Sequence, residues 1–372
     1  MPSPELLKET NRQLVICNAC RYCEGFCAVF PAMERRRTFS DGDLTYLANL
    51  CFDCRACFYA CQYAPPHEFA VNVPKVFAEL RAETYRDYTW PGILSALYRR
   101  GGLTGGLVSL VCVVVALLLV FGLKGPTAVF TAQHGEGAFY RIVPFLAMVL
   151  PALGITLYGF AVLMIGAVRF WRSTRGSFVE MLDRGAFWRA TQDAFSLRYM
   201  RGGGDGCNYP EAAFSHVRRR LHHVVFYGFL LDLAATTVAA IYDHVFGWIA
   251  PYPLLSWPVV LGTIGGIMLV IGTSGMLYLK WRSDREPTDR EMAAMDVAFL
   301  LSLSLTSLTG LLLLAVRETA LMGTMLTIHL GLVAALFLTM PYGKFAHLFY
   351  RYAALIRNSI EERAAAPAAA GH

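Results

Sequence analysis

Eight of the ten cysteines fall in two runs, Cys17-Cys20-Cys23-Cys27 and Cys51-Cys54-Cys57-Cys61, which share the spacing C-x2-C-x2-C-x3-C and begin 34 residues apart. Three thiolates separated by two-residue gaps can cap one face of an iron-sulfur cube from a single looped segment. In chains with two such runs the fourth cysteine of each serves the other cluster. The pattern therefore assigns Cys17, Cys20, Cys23 and Cys61 to one 4Fe-4S cluster, and Cys51, Cys54, Cys57 and Cys27 to a second. Zinc usually draws its ligands as two separated pairs, which fits a doubled run of four poorly. Disulfides need an oxidising compartment, and the opening stretch MPSPELLKETNRQLVI lacks the apolar core of a secretory signal. Outside the runs, Cys112 lies in an apolar stretch and reads as a small packing residue, and Cys207, in a glycine-rich loop, as an incidental thiol.

Histidines form the second set of candidates: His222, His223, His244, His329 and His347 lie in or beside apolar stretches. Ionisable side chains at membrane depth are costly and so are functional candidates by default. Imidazole holds haem iron, and a b-type haem between helices takes one imidazole from each side. His329 and His347 are 18 residues apart, five helical turns and about 27 Å if one helix carries both past Pro341. His223 and His244 lie 21 apart, about 60° off a common face and about 31 Å along the axis. These are ligands for one or two haems b, His223 and His347 on one side of the membrane and His244 and His329 toward the other, with interfacial hydrogen bonding as the alternative for some. His222 competes with His223, since neighbouring helical residues point about 100° apart. His216, in the basic stretch, reads as a surface group.

The elements that position these groups follow from composition. Of 372 residues, 56% are hydrophobic and only 16% charged, and the first hundred carry many of the charges. The later chain holds six apolar runs long enough to cross a membrane as helices, near 105–123, 142–168, 223–246, 257–280, 295–316 and 320–341. The connecting segments on the side of residues 81–105 carry 22 Lys and Arg, against 3 on the opposite side. That asymmetry places both termini in the cytoplasm, in a multi-pass protein of the inner, cytoplasmic membrane. The net charge of +6 is thus explained by topology. Arg218, Arg219 and Arg220 read as a membrane-edge anchor, and no nucleic-acid role is needed.

The domain reading is a ferredoxin-like unit at 1–100, a membrane unit at 101–345 with a cytoplasmic loop at 169–222, and a cytoplasmic tail at 346–372 whose ending, AAAPAAAGH, reads as disordered. Ser40 and Asp41 cap a helix carrying Leu44, Leu47 and Leu50 into the second cysteine run, and helical periodicity resumes near Pro74. The fold class is all-α: an α-helical two-cluster ferredoxin domain fused to a six-helix transmembrane cytochrome b-like bundle. The proline common after the fourth cysteine is displaced, to Pro31 and Pro65. Gly262, Gly265, Gly266, Gly272 and Gly275 allow close approach of a helix or of a flat macrocycle. Asp232 is either a proton relay to quinone or an acid hydrogen-bonded to a neighbouring helix.

With the doubled cysteine motif, the stretches LHHVVFYGFLLDLAATTVAAIYDH, APYPLLSWPVVLGTIGG and HLGLVAALFLTMPYGKFAHLFYR make the chain resemble the TcuB/CitB family of tricarballylate and citrate utilisation proteins over nearly its whole length. The resemblance implies an electron conduit. A separate flavoprotein, a tricarballylate dehydrogenase, oxidises the substrate, and its reduced FAD passes electrons through 4Fe-4S clusters and haem to membrane acceptors, with quinone as the terminal one. No G-x-G-x-x-G flavin fingerprint occurs in the chain, so the chain has no substrate-oxidising site of its own. The flavoprotein is expected to dock on the cluster domain and on loop 169–222, whose Phe187, Trp188, Phe195 and Tyr199 give it partly buried character. The rival readings are an iron-sulfur and cytochrome b subunit of another oxidoreductase, resembling those of heterodisulfide or nitrate reductases, and a membrane redox sensor.

Overall fold

Helices begin where the local chemistry starts them. The computed structural model describes residues 2–98 and 101–369, so Arg99 and Arg100 of the charge comparison and the last three residues of the tail lie outside the described residues. The N-terminal unit consists of α1 Pro4–Cys20, α2 Val29–Glu34, α3 Asp41–Leu50, α4 Ala56–Tyr59 and α5 Val73–Tyr88. A proline opens the first turn of α1, where its missing N–H is harmless. In α3 a capping box forms: Asp43 N–H donates to Ser40 Oγ (3.3 Å) and Ser40 N–H to the Asp43 carboxylate (3.0 Å). The cysteines sit where these helices stop. Cys20 ends α1, and Cys51 is the C-cap of α3.

After the short α6 Gly92–Leu97 come α7 Gly101–Lys124, α8 Pro126–Phe130, α9 Ala138–Ile142, α10 Phe145–Ser173, α11 Phe178–Met181, α12 Arg184–Ser196, α13 Val217–Phe246, α14 Trp257–Arg282, α15 Arg290–Val316, α16 Met322–Thr339 and α17 His347–Ala369. Among the described residues six helices are long and apolar enough to cross a membrane: α7, α10, α13, α14, α15 and α16. They match the six apolar runs, with α13 starting at Val217, ahead of its apolar part, because nothing in the arginine stretch breaks a helix. Among the described residues the only strands are Cys207–Asn208 and Phe214–Ser215, a two-residue antiparallel pair.

Glycine brings α13 and α14 together. A Cβ at Gly265 would lie 2.8 Å from the Gly228 carbonyl oxygen, and one at Gly228 would lie 3.1 Å from that of Gly265. Close helix packing therefore accounts for Gly265, and Gly272 likewise meets Val225 across the same seam.

His329 and His347 do not share a helix: α16 ends at Thr339, two 3-10 turns follow, and Gly343 between them is extended (φ −109°, ψ −162°). Pro341 lacks the N–H that an uninterrupted helix needs. The ending AAAPAAAGH, expected to be disordered, is helical as far as Ala369, as the end of α17. Earlier in α17, Tyr350, Ala353, Ala354 and Leu355 share a buried core with Leu14, Leu47, Leu50, Phe77 and Leu80 of the cluster unit. Tyr350 stacks on Tyr85 of α5 at 5.2 Å between ring centres. Glu361, further along α17, receives both Arg36 (2.5 Å) and Arg357 (3.1 Å).

Candidate iron-sulfur and haem sites

Cys17, Cys20, Cys23, Cys57 and Cys61 line a cavity of about 270 Å3. Cys27, Cys51, Cys54 and Cys57 line a second, tighter void beside it. Cys57 lines both, while Cys27 of the first run lies with the second run's thiols and Cys61 of the second with the first run's. Among the described residues no three Cys, His, Asp or Glu side chains converge closely enough to hold one metal ion. The thiols surround volumes rather than points, a disposition that fits a multi-iron cluster.

Backbone geometry repeats in the two runs. The residue after the second cysteine of each is an arginine in the left-handed region, Arg21 at φ 54° and Arg55 at φ 63°. Non-glycine residues hold such angles when the surroundings over-determine them, which is common at functional sites. Burial, and then neighbouring thiols, push Cys17, Cys23 and Cys27 up to about 12. Burial followed by the same crowding puts Cys54 and Cys57 well above the ordinary thiol range. A bound metal would have to offset this, since thiolate ligation releases the thiol proton. Asp53 N–H already donates to Cys51 Sγ (3.4 Å), the kind of bond that tunes a cluster potential.

The two cavities differ in surroundings. Tyr22, beside the first, is 69% exposed, whereas Cys51 and Cys54 of the second are buried. The inner site is also ringed by cations. Arg351 of α17 donates to the Cys51 carbonyl (2.8 Å) and lies over Phe52 at 4.5 Å. Arg81 donates to the Ala48 carbonyl (2.9 Å), and Arg218 to the carbonyls of Phe52 (3.1 Å) and Asp53 (2.6 Å). Arg55 reaches Ser283 (2.7 Å) and Thr288 (2.8 Å) beyond α14. Arg218 thus faces the cluster loop and not the lipid headgroups that its position in sequence suggested. The Arg55 and Arg218 guanidiniums, against the opposing effect of burial, hold the Asp53 carboxyl below its usual range.

Cys207 is fully buried and not incidental. Its neighbour's backbone, Asn208 N–H, donates to the Cys54 carbonyl (3.0 Å), and Gly203 packs against Gly25 and Phe26 of the first run. The glycine-rich loop is a cover for the inner site. Its close approach to the cysteine loops is a long-range contact without a local motif.

Among the histidines, the structure brings His222 and His347 together, their ring centres 6.4 Å apart and planes at 81°. Imidazole can hold haem iron, and these two rings are the candidates that the fold brings together. Nδ1–H of His347 donates to the Lys344 carbonyl (2.6 Å), leaving Nε2 as acceptor. Nδ1 of His222 is buried with no hydrogen-bond partner among the described residues. Burial, and then Arg351, Lys344 and His222, hold the His347 imidazole well below its ordinary range, in the neutral form that ligates metal.

His223 points elsewhere. Arg219, His223 and Tyr227 occupy the face of α13 turned to α12, where Arg219 donates to the Ser196 carbonyl (2.6 Å) and Tyr227 to that of Phe195 (3.1 Å). Arg218, His222 and Phe229 occupy the face turned to the cluster loop and α17, Phe229 meeting Phe345 at 5.6 Å. Each face carries an arginine and a histidine at the same spacing, so sequence has no signal that separates them. The second expected pair is not assembled. His244 is exposed at the end of α13, beside Asp243 (3.0 Å), and His329 is held by Thr309 (3.2 Å) on α15.

In the loop expected to receive a partner, Trp188 is 62% and Phe187 50% exposed, while Tyr199 packs on Phe52 at 5.8 Å.

Comparison with known proteins matches residues 101–368 to the family model for citrate utilization protein B and residues 10–87 to that family's Fer4-like domain. A relative from Escherichia coli, citrate utilization protein B, is 48% identical over 358 residues, covering 95% of this chain and 92% of the relative. No solved structure matches.

Proposed function

The chain belongs to the citrate utilization protein B family, and from that premise we propose that it carries electrons from the reduced flavin of a partner dehydrogenase, of the tricarballylate-oxidising kind, to a membrane quinone. The observation that carries this reading is the continuity of the two cysteine-lined cavities with the His222–His347 pair, through Arg351 and its bond to Cys51. Cys17, Cys20, Cys23 and Cys61 would hold one 4Fe-4S cluster, Cys27, Cys51, Cys54 and Cys57 a second, and His222 and His347 a haem b. When bound, these groups supply one-electron steps between a two-electron flavin and a two-electron quinone.

The residues do the positioning. Tyr22 and the exposed edge of the first cavity receive the partner, on the side of the membrane bearing most Lys and Arg, which is the cytoplasmic side by the charge rule. The arginine collar favours negative charge at the inner site. Arg351 and His347, one helical turn apart on α17, couple that site to the bundle.

The test is to mix reduced partner flavoprotein with purified protein under anaerobic conditions and follow the haem absorbance. Cys54→Ala is expected to abolish its rapid reduction. Rapid reduction persisting in that variant would refute the serial path.

A further inference from the structure

Between the spans α10 and α13 the chain leaves a run of large apolar side chains in the open. No residue of α11 is buried, and Val179 and Leu182 are 81% and 80% exposed. The inner face of α12, Ala186, Ala190 and Asp193, is buried. At 100° per residue, Phe187, Trp188 and Phe195 share one outer flank of α12, and Arg189 and Gln192 lie on the other. Contacts fix which way each flank turns. On the apolar flank, Phe187 meets Tyr352 at 5.7 Å and Phe195 meets Phe226 at 5.2 Å. Phe226 lies in the first apolar turns of the α13 span, just past the arginine stretch, and Tyr352 is five residues from His347, where α17 meets α13. On the polar flank, Arg189 pairs with Glu362 (3.9 Å), ten residues and about 15 Å further out along α17. The apolar flank therefore faces the end of the bundle, and the polar flank faces away from it. Depth follows from α10, whose 29 residues, about 43 Å, match a whole bilayer with its headgroups, about 40–45 Å. Phe178, five residues past the end of α10 and held under the Arg172 guanidinium at 5.5 Å, starts at headgroup depth.

We propose that α11 and α12 form a membrane-surface element: Phe178, Val179, Leu182, Trp188 and Phe195 enter the headgroup boundary, and nearby arginines bind the phosphates of anionic phospholipids. Residues 169–189 carry five arginines against Glu180 and Asp183. Asp183 is taken by Arg363 (2.5 Å), and Glu180 by the capping box at Ser177. Arg172, Arg175 and Arg184 are left exposed, with no carboxylate partner among the described residues. Large apolar side chains beside unpaired cations are the composition of a helix that lies in the interface, and tryptophan is enriched at that depth. The proposal needs only that the long apolar helices cross a membrane, and does not depend on the electron-transfer reading. It removes Phe187 and Trp188 from the surface expected to receive the flavoprotein, and leaves that role to the edge of the first cysteine cavity at Tyr22.

Photocrosslinking of the full-length protein reads the contact directly. Trp188→benzoylphenylalanine is placed in nanodiscs of equal phosphatidylglycerol and phosphatidylcholine and irradiated, and its adducts are identified by mass. Lipid adducts are expected, as they are for Leu110→benzoylphenylalanine on the exposed face of α7. At position 188 phosphatidylglycerol adducts should exceed phosphatidylcholine ones by about fivefold, the effect of one arginine at an anionic surface. That excess should vanish when Arg172→Gln, Arg175→Gln and Arg184→Gln are combined. Adducts at position 110 but none at 188 would overturn the surface element. Equal adducts of the two lipids at 188, or an excess that survives the triple substitution, would overturn the headgroup role of the arginines. Adducts with the flavoprotein, replacing those with lipid when it is added, would return the face to that partner and overturn the proposal.

Discussion

Arg351 offers the sharpest test of how the fold prepares the inner cysteine site. Its guanidinium donates to the Cys51 carbonyl at 2.8 Å, lies over Phe52 and is buried with no carboxylate partner among the described residues. Burial pulls it below the usual arginine range, yet a guanidinium keeps its proton at neutral pH. The perturbation is Arg351→Gln, which retains an N–H donor and removes the charge. Reducing a cluster adds a negative charge, and a cation roughly 8 Å from it at an effective dielectric near 20 contributes about 2 kcal/mol. That is about 90 mV for a one-electron couple. Titration of the purified protein followed by electron paramagnetic resonance should show the midpoint of the inner cluster, the one lost in Cys54→Ala, falling by about 60 to 120 mV. The cluster lost in Cys20→Ala should hold its potential. Equal shifts of both, or none, would refute the claim that the arginine collar biases the inner site.

His222→Ala should eliminate the reduced haem b band and His223→Ala should leave it, because only His222 faces His347; optical spectra of the two variants check this. Gly228→Ala would put a methyl 3.0–3.2 Å from Met268, Gly265 and Leu269, so the α13–α14 seam should lose about 1–3 kcal/mol, read as a fall in thermal midpoint in detergent. Asp296 binds both Lys344 (2.6 Å) and Lys280 between α14, α15 and the start of α17. Removing its charge in Asp296→Asn leaves two buried cations uncompensated, at a cost of about 3–5 kcal/mol, measurable as lower yield and earlier thermal unfolding.

Much of the site was legible because its information is local. The cysteine spacing is a property of one short segment, and so are the capping box at Ser40 and Asp43 and the apolar length of each span. Hydropathy and capping act over a single turn or a single helix, so they are readable without knowing the partners. Even Pro341 carried a readable warning that His329 and His347 would not share one helix.

What the tertiary structure decided is rotation and pairing. His222 and His223 differ by about 100° around α13, and only the docking of α12 on one face and α17 on the other turns His222 toward His347. The same docking takes Arg218 from the membrane edge to the cluster loop and brings Arg351, 300 residues away in sequence, onto Cys51. The cover over the inner cysteines at Cys207 is made by a segment with no local signature. Sequence alone determined which groups are present and which helices carry them. Which of them meet depends on the phase of each helix against its neighbours, and that phase is set by long-range packing.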